Sequence, residues 1–483
     1  MKHPITIRFA ALLGLLLLLA ACGVSEPKAD TSDNACPEIF PDYVDVTIPH
    51  NIAPLRFRIT MPADEAVAAI GNDDEGKIVV SATGSGSFII PEGKWHSLLN
   101  TSKGKSIDVV VYTRNNGQWC RHKAFKWHVS ADEADPYLVY RLIPPGYELW
   151  NKMGIYQRNI TNFDEQPIVV NSRFEGNCMN CHSFNQRNPE QMLFHMRAKH
   201  GGTYFVDNGK VRRVDGHLSD KFQSLVYPYW HPSGRFVAFS SNTTRQAFQR
   251  ADCNRVEVFD QASDVLVYDI EHGEALSDSL IASNTAFETF PTFSPDGKLL
   301  YFCTSDTCAL PDGFRNAHYS LCSLPFDASS RSFGNQVDTL VNCHGQNLSV
   351  SFPRVSPDGH FLVYTLASYG NFSIWHRDAD LHILNLNTRQ SQPLIPANSN
   401  DVESYHSWSA NSRWLVFSSR RIDGLYTRPF MVHIDAEGNA SKPFVLPQES
   451  PEFYDTFMYS FNIPEFVSAK VKISSNEVAE ACK

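Results

Sequence analysis

The chain has 483 residues, 42% of them hydrophobic, with a net charge of −10 and 11 cysteines. That length accommodates two or more domains, and the hydrophobic share is that of a soluble fold. The modest acidic balance shows no basic stripe, which argues against nucleic acid as a partner.

The first segment is MKHPITIRFAALLGLLLLLAACG. A basic start, an apolar run from Phe9 to Ala21 and small residues before Cys22 describe a secretory signal over residues 1–21. The run is too short to span a bilayer, which takes roughly 20 residues. Leu19-Ala20-Ala21-Cys22 resembles the bacterial lipoprotein box, which implies lipidation at Cys22 and an anchor in a membrane. Gly23 after it leans toward the outer membrane in that resemblance, with the periplasmic or surface face left open. An exported chain also implies an oxidising compartment. Setting aside Cys22 and the Cys178/Cys181 pair leaves eight cysteines, enough for four disulfides whose pairing the sequence does not reveal.

Residues 22–42 read as a polar tether. From 43 to 132 come short β-branched runs (VDVTI, LRFRI, KIVVSAT, SFII, SIDVVVYT, FKWHV) separated by Gly, Asn and Asp clusters, the pattern of a small β-sandwich. Residues 133–470 are expected to form a propeller and 471–483 a tail.

The propeller reading rests on a repeat. YPYWHPSGRFVAFSS, FPTFSPDGKLLYFCT, FPRVSPDGHFLVYTL and YHSWSANSRWLVFSS begin at 227, 290, 352 and 405. Pro sets φ at the first corner of the turn, Asp bonds back to the backbone, and Gly takes positive φ. Downstream of each copy lies another strand, so each unit is a four-stranded sheet that stacks radially. The fourth copy has Ser-Ala-Asn-Ser at 409–412, so its turn is expected to differ. The Ser-Pro-Asp-Gly core followed by an alternating strand resembles the repeat of TolB-like propellers, relatives of the WD40 blade. That implies an all-β, TolB-like propeller, six blades favoured and seven the alternative. YLVYRLI, GYELW, MGIYQRNI and QPIVV supply one upstream blade, and residues 178–214 another. A closing strand near 457–466 is expected to complete the blade begun at 137.

One motif carries chemistry. EGNCMNCHSF holds Cys178, Cys181 and His182 as C-x-x-C-H, the attachment pattern of c-type haem. Cys178 and Cys181 would form thioethers to one covalent haem c, and His182 would be the proximal iron ligand. His200 and His195 are the favoured candidates for the distal position, ahead of Met192 and Met196. By strand alternation His195 faces opposite to the two methionines. An open distal position is a further alternative. Zinc is the competing reading, since Cys178, Cys181, His195 and His200 fall within a Cys2His2 spacing. It is disfavoured because MLFHMR alternates like a strand and because zinc leaves His182 without a role. Cys343-His344 lacks a second thiol and is a decoy. No hydrolase or phosphate-binding motif is present.

The expected function is therefore electron transfer between envelope redox partners through a haem in the propeller, rather than hydrolysis. Two alternatives stand: a scaffold or protein-binding propeller with a structural or sensing haem, and an oxidoreductase with an open distal site. Trp230, Trp408, His231 and His406 are expected either to line a channel surface or to pack between blades.

Overall fold

The structure is a computed structural model that describes residues 24–73, 76–145, 152–249 and 252–483. The signal segment, Cys22 and the GYELW stretch lie outside the described residues.

Six antiparallel sheets of four or five strands follow one another along the chain. Blade 1 holds Tyr137–Ile143, Gly154–Asn159 and Glu165–Val170, and its innermost strand is Ser460–Val467 from the chain's other end. Blade 2 runs outward through Met179–Phe184, Gln191–Met196, Gly202–Asp207 and Lys210–Val214. Blades 3 to 6 start on Val226–Trp230, Ala286–Phe293, Ser349–Val355 and Glu403–Trp408. Ser460–Val467 pairs with Tyr137–Ile143 along its length and so closes the ring. The fold is a six-bladed β-propeller.

Apolar cores fill the gaps between blades. Met179, Phe184, Met192, Phe194 and Met196 pack with Val139, Ile155 and Val169, between blades 1 and 2. Leu193, Phe205, Trp230, Val237 and Phe239 form the next core, between blades 2 and 3. Alternation along Gln191–Met196 thus sends even-numbered residues one way and odd-numbered ones the other.

The repeated turn explains its own sequence. In Ser-Pro-Asp-Gly at 356–359, Ser356 Oγ donates to Asp358 Oδ1 at 2.6 Å and accepts from Phe361 N–H at 3.0 Å. The fourth copy keeps both bonds, Ser409 Oγ to Asn411 at 2.6 Å and Trp414 N–H to Ser409 at 3.0 Å. Its turn does not differ as expected. Asn411 replaces the Asp, and Ser412 adopts φ 60° where Gly359 has 74°.

The N-terminal domain is a seven-stranded sheet facing a three-stranded one, with Glu92–Thr101 as a helix. The helix buries Trp95 and Leu99, four residues apart and so on one face. Two expected loose segments are folded. From Asp30 the tether joins the sheet, Asp30 N–H donating to Trp119 O at 2.8 Å and Thr31–Ser32 pairing with Cys120–Arg121. The expected tail forms the helix Ser475–Ala481, whose Val478, with Val471 upstream, completes the core between blades 1 and 2.

Candidate functional site

Every inner strand carries the same defect. Cys181, Tyr227, Phe290, Phe352, Tyr405 and Ile463 all have φ between 49° and 55°. Each falls where the pairing with the second strand slips by a residue, a β-bulge. The bulge turns these side chains onto the channel wall, where Tyr227–Phe290, Phe290–Phe352 and Phe352–Tyr405 ring centroids are 4.4, 5.2 and 4.6 Å apart. Cys181 and Ile463 hold the remaining two positions of that ring.

The next residue is also patterned. Pro228, Pro291, Pro353 and Pro464 occupy it in blades 3, 4, 5 and 1, and His182 and His406 occupy it in blades 2 and 6. The Cys-His half of C-x-x-C-H therefore coincides with an aromatic-Pro slot of the repeat.

His182 is 3% exposed and stacks edgewise near Phe184. Its ring nitrogens are directed at the Val139 and Ile463 backbone without closing a hydrogen bond of good geometry. Burial, helped by the Arg141 charge, pushes its pKa down to about 3, so the imidazole is neutral with lone-pair capacity. Cys181 and His182 line one cavity of about 210 Å³ at the turn end of the channel. Trp230, Trp408 and His406 line it too, whereas His231 packs between blades with Nε2 3.2 Å from Gly297 O.

Cys178 lies apart from that cavity, buried, with Sγ 3.9 Å from Met153 Sδ. Burial raises its thiol pKa against the opposing pull of Arg141. The buried Arg141 guanidinium donates to Met179 O at 3.1 Å and Asn462 Oδ1 at 2.7 Å, and it is electrostatically coupled to both thiols.

The other expected ligands are not gathered around His182. His195 is paired with Asn180 on the face toward blade 3, with Nδ1 3.2 Å from Thr203 Oγ1. Burial lowers its pKa to about 4. Met192 and Met196 are packed on the opposite face, in the blade 1–2 core. His200 sits half-buried in the turn Ala198–His200, with Nε2 3.7 Å from Glu175 Oε1. The zinc quartet does not converge. Among the described residues, three or more ligand atoms within 4.8 Å of one another occur only at Asp269, Glu271 and His272, where Arg235 and Arg331 already pair with Asp269. All ten described cysteines are free thiols. Cys303 and Cys343 sit in the core between blades 4 and 5, and Cys322 on the other side of its blade.

Sequence reasoning missed a polar cluster built by the long hairpin of blade 3, Phe236–Phe248 and Val256–Asp269. Glu257 meets His376 Nε2 at 3.0 Å and Tyr369 Oη at 2.6 Å, from blade 5. Asp260 accepts from Asn242, Tyr319 and Asn371. The alternation in VEVFDQ was the available signal for this strand extension.

No family model matches the chain, and no curated protein matches it. Solved structures similar to it include TolB from Acinetobacter baumannii, at 12% identity and TM-score 0.43 over 74% of this chain and 78% of that one. Prolyl oligopeptidase B from Galerina marginata is similar at 10% identity and TM-score 0.33, over 62% of this chain and 44% of its own. An oligogalacturonate lyase in complex with manganese is similar at 10% identity and TM-score 0.30, over 86% of this chain and 99% of that one.

Proposed function

We propose that the chain is an envelope lipoprotein, anchored through Cys22 and directed to the outer membrane, that carries one haem c on the inner strand of blade 2. Its role is single-electron transfer between envelope redox partners. The observation that carries this reading is His182: a buried, neutral imidazole whose nitrogens meet only the Val139 and Ile463 backbone without good hydrogen-bond geometry, adjacent in sequence to Cys181 and lining the same cavity. The donor set of two thiols and an imidazole fits the group in chemistry. His182 would hold the iron, and Cys178 and Cys181 would hold the group covalently. When bound, haem supplies a one-electron iron couple. Arg141 places a buried positive charge beside both thiols, which favours the reduced state of any redox centre held there.

A second reading is a binding propeller in which C-x-x-C-H is structural. One observation favours it: His406 fills the slot of His182 in blade 6 and serves there as an inter-blade donor, Nε2 to Val363 O at 2.9 Å.

The absorption spectrum of the exported protein, made with haem-maturation machinery and repeated after acid-organic extraction, separates the two. Haem bands that survive extraction, and vanish in Cys178→Ala with Cys181→Ala, are the expected result. A colourless, folded protein overturns the haem and leaves the binding propeller.

A further inference from the structure

The cavity at the turn end of the channel, lined on one side by Cys181 and His182, holds a second feature on the opposite blade. Arg354 lies on the inner strand of blade 5 and lines this cavity. Its guanidinium lies 4.3 Å from the Phe352 ring centroid and 5.2 Å from that of Tyr229. Nη1 donates to its own neighbour, Pro353 O, at 2.8 Å. Glu465 lines the same cavity and its charge acts on Arg354, although no ion pair within 4.0 Å joins the two. Glu465 is itself engaged, accepting from Phe184 N–H at 3.1 Å. Trp408 Nε1 donates to Arg354 O at 3.1 Å and so fixes the backbone that presents the side chain.

The guanidinium is half-buried and lacks a direct ion pair, and its planar fork matches a carboxylate in a bidentate pair. The walls beside it are aromatic: Tyr229, Trp230, Phe352 and Trp408. Aromatic walls around an oriented charged group are a recurring feature of small-molecule sites.

We propose that Arg354 anchors the carboxylate of a small ligand with a planar, apolar body in the mouth of the channel. The aromatic faces stack on the body, and the guanidinium pairs with the head. Arg354 is on blade 5 and the haem motif on blade 2, but Cys181 and His182 line the same cavity, so the ligand is tested with and without the motif.

The test is calorimetric titration of the full exported chain with benzoate, acetate and inorganic phosphate. It is run in parallel on the Cys178→Ala, Cys181→Ala chain. Benzoate is expected to bind both chains alike and more tightly than acetate or phosphate. Arg354→Gln is expected to lose about tenfold or more in benzoate affinity, and Arg354→Lys less, since a point charge replaces a fork. A benzoate-dependent rise in melting temperature of the wild-type chain gives a readout that needs no variant to fold. Equal benzoate affinity in Arg354→Gln, a preference for phosphate, or no benzoate binding to either chain overturns the proposal. Binding only to the Cys-less chain also overturns it, since the carboxylates at Arg354 would then be those of haem.

Discussion

His182 and His406 occupy the same slot in blades 2 and 6: each follows a left-handed residue and directs its ring at the second strand of the preceding blade. The other four blades place proline there. A residue that must fit between blades and accept a bulge on its N-terminal side is apolar and stiff as proline, or else a neutral histidine. Burial enforces that neutrality, pushing both pKa values to about 3.

The consequence for pH is directional. The ordinary histidine value is 6.5 and the folded value for His406 about 3. Between those values the unfolded chain holds a proton that the folded chain does not, so stability falls as pH drops through that window. His406→Pro is expected to lie within about 1.5 kcal/mol of wild type at pH 7 and to show a flatter loss toward pH 4. Urea midpoints at a series of pH values measure this, and an unchanged acid slope contradicts it.

Glu465 has the opposite sign. Burial pushes its pKa up to about 8 from 4.5, so the folded chain holds a proton that the unfolded one has lost. Stability attributable to it therefore declines as pH rises from 4.5 toward 8. Glu465→Gln is expected to gain about 1–3 kcal/mol over wild type at pH 9 and little at pH 5. Melting temperatures at those two values decide the point.

The long hairpin of blade 3 is held across the ring by Asp260. Removing that carboxylate leaves Asn242, Tyr319 and Asn371 without their acceptor. Asp260→Ala is expected to cost about 2–4 kcal/mol and to expose residues 236–269 to limited proteolysis, with Asp260→Asn retaining much of the stability. Proteolysis rates equal to wild type would show that the network does not hold the hairpin.

The terminal helix contributes through few residues. Val471 and Val478 are buried, and Gln157 bonds both the N–H and the carbonyl of Val471. A chain ended after Ser468 keeps its closing strand and is expected to lose roughly 3–5 kcal/mol from two buried valines and the Gln157 bonds. An unchanged denaturation midpoint contradicts this.

Much of the ring was legible because turn chemistry is local. Ser, Asp and Gly at fixed offsets specify one hydrogen-bonded turn in two copies, and the flanking strands shared by four copies specify repetition. Blade 2 lacks that turn, yet its Cys181-His182 aligns with Tyr227-Pro228, Phe290-Pro291, Phe352-Pro353 and Tyr405-His406, a signal present in the sequence but overshadowed by the haem motif. What stayed hidden depends on distant partners. The helix at 92–101 is set by where Trp95 is buried, and the folded tether by a strand about ninety residues on. Cys322 was separated from Cys303 and Cys343 because the two faces of its blade meet different inter-blade cores. His195 was separated from His182 by the sheet itself.

The central claim concerns Cys178, Cys181 and His182, and the mass of one peptide tests it most directly. Trypsin releases Phe174–Arg187, which contains all three. From protein exported with haem-maturation machinery, that peptide is predicted to carry the added mass of one haem joined through both sulfurs. The unmodified peptide, with two thiols open to alkylation, would contradict the haem and leave the channel as a binding site.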